Sequence, residues 1–189
     1  GSCSKSFLGI IAAKAIEQKL IKWETKFFDL FPELKKNSKA IYHKITLKDL
    51  FLCQAGVKPF TNMAKETLPQ LPEGKESNFY EFAKYLFNLE PIAKFDKNGF
   101  DFMYSNASYS MAALILEKAT GLSYKQLVEN YINGGMKINT IFGFPNKYNA
   151  KQPWGHMING KNLETFAPEC EYVLPALISP AGDLSLTPL

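Results

Sequence analysis

The run Gly1-Ser2-Cys3-Ser4-Lys5-Ser6-Phe7-Leu8-Gly9-Ile10-Ile11-Ala12-Ala13-Lys14-Ala15-Ile16 decides how the rest of the chain is read. Ser2 and Lys5 stand three residues apart, so in a helix they share a face one turn apart. A hydroxyl nucleophile is then held beside an amine able to take its proton. The spacing alone is weak ground. In a chain with 11 Ser and 22 Lys it arises by chance about once, so the surroundings must carry the case.

Those surroundings are apolar. Phe7, Ile10, Ile11, Ala15 and Leu20 recur at helical spacing, and Leu8, Ala12, Ala13 and Ile16 fill most of the remaining circumference. A helix apolar nearly all round is buried. The pattern therefore predicts a central helix over 4–21, with Lys14 on its one wet edge. Its N-terminus offers free N–H groups and positive potential to a developing oxyanion. The plainer alternative is that Ser2 or Ser4 merely caps this helix.

Composition bounds the rest. The chain has 189 residues, 46% of them hydrophobic and 21% charged, which describes one ordinary globular unit with a sizeable core. Fifteen Phe and nine Tyr make that core aromatic. The net charge is +4, yet every basic residue is Lys and the Lys are scattered. Bidentate recognition of guanine or phosphate usually uses Arg, so nucleic acid is not expected as a partner. The longest apolar stretch, around 7–13, falls far short of the ~18 residues of a transmembrane segment. No signal peptide is expected within the chain itself. Cys3, Cys53 and Cys170 have no metal-ligand spacing and read as free or core thiols, so no metal and no cofactor is expected.

Further along, 22–34 is aromatic-rich and stops at Phe31-Pro32. Thr46 precedes a helix with Asp49 in its first turn, closed by Gly56. Residues 57–75 hold three prolines and read as a long loop. Asn78 and Glu81 have capping-box spacing ahead of a helix carrying Phe82, Ala83, Leu86 and Phe87. Lys97-Asn98-Gly99 is a turn. A strong helix over 107–120 ends at Gly121, and Ser123 with Gln126 opens another that stops at Asn133-Gly134-Gly135. The stretch 154–166 is the one hairpin signal, with Asn159-Gly160 suited to a type I′ turn. Residues 175–189 read as loop, with a turn at 180–183. The fold expected is mostly α with one late hairpin.

Tyr104-Ser105-Asn106 is the second chemical constellation. A Tyr at the mouth of a helix can share a proton near Ser2, and an Asn two residues on can offer its amide to a substrate carbonyl. Tyr131-Ile132-Asn133 repeats the spacing but reads as a helix end with Asn133 at the C-cap. His43 lies in a polar connector, on the surface, and His156 in the hairpin. Neither forms a catalytic pair with an acid, so any base must be Lys or Tyr.

Four blocks in order then carry a resemblance: Gly1-Ser-Cys-Ser-Lys-Ser-Phe7, the run from Ile45 to Val57, the run from Tyr104 to Tyr124, and Pro180-Ala-Gly-Asp-Leu-Ser-Leu-Thr-Pro-Leu189. Together they resemble the serine β-lactamase and penicillin-binding protein superfamily, nearest to its class C β-lactamase, esterase and D-alanyl-D-alanine carboxypeptidase branch. The resemblance covers nearly the whole chain. It implies Ser2 as the acylated nucleophile, Lys5 as the motif amine, Tyr104 as the residue that acts as or shares in the general base, and Asn106 as a substrate-binding contact. The Ser2 backbone N–H would supply half of an oxyanion hole.

The same resemblance implies two departures. Cys53-Gln54-Ala55-Gly56 stands where the family has His-Thr-Ser-Gly or similar, a structural block. The family's third motif, Lys or His followed by Ser/Thr-Gly on an inner strand, has no counterpart, since Lys118-Ala119-Thr120-Gly121 falls between helices. The chain is therefore expected to be part of the α+β β-lactamase/transpeptidase-like fold: a nucleophile helix (1–21), a helical lobe (22–145), and a hairpin with a return loop (146–189). The implied function is hydrolysis through an acyl-enzyme, on a β-lactam, D-alanyl peptide or ester. The substrate is a small molecule or of peptidoglycan type, and the location the periplasm or cell envelope. Without half its oxyanion hole, the piece itself is expected to be impaired and to self-associate through the face the missing sheet should cover. A non-catalytic binding or scaffold module on the same fold is the alternative.

Overall fold

The computed structural model describes residues 1–62, 66–70, 78–167, 170 and 174–186. The parts of the expected 57–75 loop at 63–65 and 71–75, and of the tail at 187–189, lie outside these.

Helix α5 (Asn106–Thr120) is the centre of the body. Met111, Ala112, Ala113, Leu114, Ile115 and Leu116 are all buried, so no side of it is wet along this run. Ser105 caps it by accepting from the Ser108 N–H at 3.0 Å, and Gly121 closes it in the left-handed conformation (φ 72°).

Helix α1 (Ser4–Glu17) differs from its expectation in two ways. It stops at Glu17, because Lys19 turns left-handed (φ 59°) and the Leu20 N–H folds back to the Ala15 carbonyl at 3.0 Å. Leu20 is consequently 47% exposed rather than part of the apolar face. Nor is α1 buried all round. Ser4, Lys5, Leu8, Ile11, Ala12 and Ala15 form one buried stripe, whereas Ala13 and Lys14 face water. The fully buried helix is α5, and α1 lies against it.

The aromatic core is built from the short α2 (Phe27–Leu30) and its surroundings. Phe87 is its hub, with ring centroids 4.7 Å from Phe27, 5.1 Å from Phe28 and 5.4 Å from Tyr42. Pairs at these separations add about 0.5–1.5 kcal/mol each beyond burial. His43 is half-buried against the Phe28 ring (5.0 Å), not a free surface residue, and a ring nitrogen is 3.0 Å from the Ser38 Oγ.

Helix α3 (Leu47–Phe51) carries a complete capping box. Thr46 Oγ1 accepts from the Asp49 N–H at 3.2 Å, and Asp49 Oδ2 accepts from the Thr46 N–H at 2.8 Å. The helix ends at Phe51 and Cys53 adopts φ 55°, so Gly56 is not its terminator. Gly56 (φ 68°) serves another purpose: a Cβ there would lie 2.4 Å from the Phe100 ring.

Helix α4 (Asn78–Leu86) buries Phe79, Tyr80, Phe82, Ala83 and Leu86. Helix α6 (Tyr124–Leu127) has the expected Ser123–Gln126 capping box. It continues as a wider π-type turn, Val128–Gly134. Asn133 is therefore inside a helical segment rather than at a C-cap, and its Oδ1 accepts from the Thr140 N–H and Oγ1 at 2.9 and 2.7 Å.

Three two-stranded antiparallel sheets complete the described residues. Strands β1 (Phe95–Asp96) and β2 (Gly99–Phe100) flank the Lys97-Asn98 turn. Strand β3 (Thr140–Phe142) falls near the end of the 22–145 lobe, where no strand was expected, and it pairs with β6 (Leu184–Leu186) in the tail expected to be loop. A 3₁₀ segment, Ala176–Ala181, precedes β6 and packs along α5. Strands β4 (His156–Asn159) and β5 (Asn162–Thr165) form the expected hairpin, shifted by one residue. Asn159 pairs with Asn162, so the turn residues are Gly160 and Lys161. Gly160 (φ 63°) takes the first central position, the one a type II′ turn gives to glycine. His156 is exposed on this hairpin.

Candidate active site

Residues 1–5 enter α1 through consecutive tight turns: the Ser4 N–H donates to the Gly1 carbonyl at 3.0 Å and the Lys5 N–H to the Ser2 carbonyl at 3.1 Å. Cys3 occupies the N-cap position without a side-chain hydrogen bond, so neither Ser2 nor Ser4 caps the helix. Ser2 is exposed, and Lys5, one turn on, is only 7% exposed.

Burying an ammonium this deeply demands partners. Lys5 Nζ has three: Ser2 Oγ at 3.2 Å, Asn106 Oδ1 at 2.8 Å and the Ala181 carbonyl at 2.8 Å. Two aromatic faces complete its surroundings, Tyr104 with its ring centroid at 4.7 Å and Tyr109 at 5.3 Å. Ser2, Lys5, Tyr104 and Asn106 thus converge on one point, although they come from chain segments a hundred residues apart.

Tyr104 presents its ring to the ammonium. It is 44% exposed, and its hydroxyl makes no hydrogen bond among the described residues. Asn106 is engaged through both ends of its amide. Its Oδ1 takes Lys5, and its Nδ2 donates to the Phe60 carbonyl at 2.8 Å. The preceding carbonyl, of Pro59, accepts from the Asn106 and Ala107 N–H groups at 2.8 and 3.2 Å. Phe60 is buried and left-handed (φ 50°), a strain of about 1–3 kcal/mol that these bonds sustain.

Beneath the site, Cys53 donates its thiol weakly to the Ser105 carbonyl at 4.0 Å. Burial pushes its pKa up, against the nearby Lys5 charge. Tyr109 donates its hydroxyl to the Phe51 carbonyl at 3.2 Å, and burial raises its pKa, with Cys53 and Tyr104 adding to the effect.

Three contributors escape sequence reasoning. Ala181 and Phe60 act through backbone carbonyls, which no residue type announces. Ser4 reads from sequence only as a cap, yet it is 1% exposed with both hydrogen-bonding roles of its hydroxyl filled. Among the described residues, no group of three or more His, Cys, Asp or Glu could hold a metal ion, and no helix is long and apolar enough to cross a membrane.

The arrangement is thus a serine and a buried lysine one helical turn apart, with a Tyr-x-Asn corner beside them. The chain belongs to the beta-lactamase family, whose model matches residues 1–184. A beta-lactamase from Escherichia coli (strain K12) is 26% identical over 157 residues, covering 82% of this chain and 37% of that protein. Among solved structures, FmtA from Staphylococcus aureus superposes with a TM-score of 0.70 at 22% identity, covering 100% of this chain and 48% of the other. A class C beta-lactamase gives 0.73 at 19% identity, with 99% and 46% covered. The fold is thus that of the serine β-lactamase and penicillin-binding superfamily, class C-like, and the chain spans less than half the length of these relatives.

Proposed function

We propose that this chain carries the nucleophile, base and Tyr-x-Asn corner of a serine hydrolase that works through an acyl-enzyme. The observation that supports it most is the sorting of the three polar partners of Lys5. Asn106 Oδ1 and the Ala181 carbonyl can only accept, so they claim two N–H bonds of the amine. The third position faces Ser2 Oγ, which can accept or donate. As an ammonium, Lys5 donates there. As a neutral amine, it turns a lone pair to the same oxygen and receives the Ser2 proton.

Ser2 Oγ then bonds to the substrate carbonyl carbon, whose oxygen takes up the electron pair beside the Ser2 N–H at the start of α1. Collapse of that adduct breaks the bond to the leaving nitrogen or oxygen, which departs with a proton. The Tyr104 hydroxyl, free and at the mouth of the site, is suited to pass that proton on from Lys5. Water attacks the ester on Ser2 by the reverse proton path. The Asn106 amide holds Lys5 in register, and its Nδ2, with one N–H on the Phe60 carbonyl, keeps a second N–H to offer a substrate carbonyl. The substrate class is a β-lactam, D-alanyl peptide or ester, and the setting is the periplasm or cell envelope.

The test is intact-mass spectrometry after incubation with a penicillin and, separately, an activated ester, on the chain and on Ser2→Ala. One acyl adduct on Ser2, absent from the variant, is expected. No adduct with either reagent, or an adduct that survives in Ser2→Ala, would refute the reading.

A further inference from the structure

We infer that Ser4 is a positioning residue for acyl transfer: its hydroxyl clasps the nucleophile turn to the segment that supplies the Ala181 carbonyl to Lys5. The inference rests on the acyl-enzyme reading of Ser2 given above.

Ser4 Oγ donates to the Gly1 carbonyl at 3.0 Å and accepts from the Leu184 N–H at 2.9 Å. Gly1 begins the turn that carries Ser2. Leu184 begins β6, three residues beyond Ala181. One buried hydroxyl therefore joins the two backbones between which Lys5 reaches.

Strand pairing explains why the Leu184 N–H is available. Phe142 and Leu184 are directly opposite, while the Gly143 N–H donates to the Asp183 carbonyl at 2.8 Å. Antiparallel pairs alternate between bonded and non-bonded positions, so the Leu184 N–H points away from β3, toward α1. Ser4 meets it where another strand would otherwise be needed. Beside this bond the two backbones nearly touch: a Cβ on Gly182 would lie 3.3 Å from the Gly1 carbonyl carbon.

The geometry separates the roles of neighbouring residues. Ser2 and Lys5 meet the reacting atoms, whereas Ser4 points away from them and fixes the depth of the α1 N-terminus against 181–184. In Ser4→Ala the buried Leu184 N–H loses its acceptor. The turn and the segment can then slide, and the Ala181 carbonyl no longer holds the lysine against Ser2. Such a loss falls on the chemical step rather than on substrate affinity.

The experiment compares wild type, Ser4→Ala and Ser4→Thr. Acylation by an activated ester is measured as a maximal rate and a half-saturating concentration, and Leu184 amide exchange is followed by NMR. Ser4→Ala is expected to acylate roughly 10- to 100-fold more slowly at an unchanged half-saturating concentration, with faster Leu184 exchange. Ser4→Thr, which keeps the hydroxyl, should stay within about threefold of wild type. A wild-type rate in Ser4→Ala, or equal losses in both variants, overturns the proposal. If wild type forms no adduct, the hydrolase reading falls by itself, and unchanged Leu184 exchange in Ser4→Ala would overturn the clasp as well.

Discussion

Lys5 Nζ lies 2.8 Å from Asn106 Oδ1, across 101 positions of sequence, and this contact joins the two chemical motifs of the chain. Asn106→Ala removes it and also leaves the Phe60 carbonyl without its donor. Acylation of Ser2 is expected to slow by on the order of 10²-fold, with helical content unchanged. Time-resolved intact-mass labelling measures it. Labelling at the wild-type rate would remove Asn106 from the mechanism.

The Tyr124 hydroxyl is buried with no hydrogen-bond partner among the described residues. Burial raises its pKa well above the ordinary phenol value, with the Asp183 charge adding to the effect. A raised acid pKa means the folded state holds the proton more tightly than the unfolded state. Its contribution to stability is thus complete below pH ~10 and is lost as the pH climbs further. Tyr124→Phe should be neutral to about 1 kcal/mol more stable at neutral pH, since an unsatisfied hydroxyl disappears. It should also lose less stability at high pH. Urea melts at pH 7 and above pH 10 decide the point, and a variant destabilised by more than 1 kcal/mol would contradict it.

Asp183 is half-buried, and that burial lifts its carboxyl above the ordinary range, against the opposing effects of the Gly143 N–H, the N-terminus and Lys147. Here too the folded state binds the proton more tightly. Stability from this group is present at acid pH and falls as pH rises through the carboxylate range. Asp183→Asn should flatten that part of the profile, as thermal melts between pH 3 and 7 would reveal. An unchanged slope would argue against it.

Cys3 is exposed, while Cys53 is buried with its thiol pKa raised by burial. Because the thiolate is the reactive form, iodoacetamide should modify Cys3 well before Cys53 in the native chain, and both in urea. Peptide mapping reads the order directly. Early modification of Cys53 would mean that the floor of the site opens readily.

Phe87 touches three rings of the aromatic core and is fully buried. Phe87→Ala is expected to cost about 3–5 kcal/mol. Chemical denaturation measures it, and a cost below 1 kcal/mol would mean the cluster repacks freely.

What the sequence made legible was local. Thr46 with Asp49, Ser123 with Gln126 and Gly121 after α5 declare their caps within a few residues, and they sit where those signals point. The four candidate site residues were legible through motif order, and the structure brings them together. Strands β3 and β6 were not, because three-residue strands that meet across the long intervening stretch of 143–183 leave no periodicity to read. The end of α1 was missed because its apolar pattern runs on past the point where Lys19 reverses the backbone. Lys5's bond to the Ala181 carbonyl was missed because a main-chain acceptor has no residue signature.

The spread of the partners of Lys5 has a consequence for the life history of the chain. Ser2 is next to Lys5 in any helix, but Asn106 and Ala181 arrive only when remote segments have closed. Until then nothing from 106 or 181 holds the amine against the Ser2 hydroxyl. On the acyl-enzyme reading proposed above, acylation of Ser2 would double as a report on completed folding, since a nascent or partly unfolded copy lacks the two remote partners of Lys5.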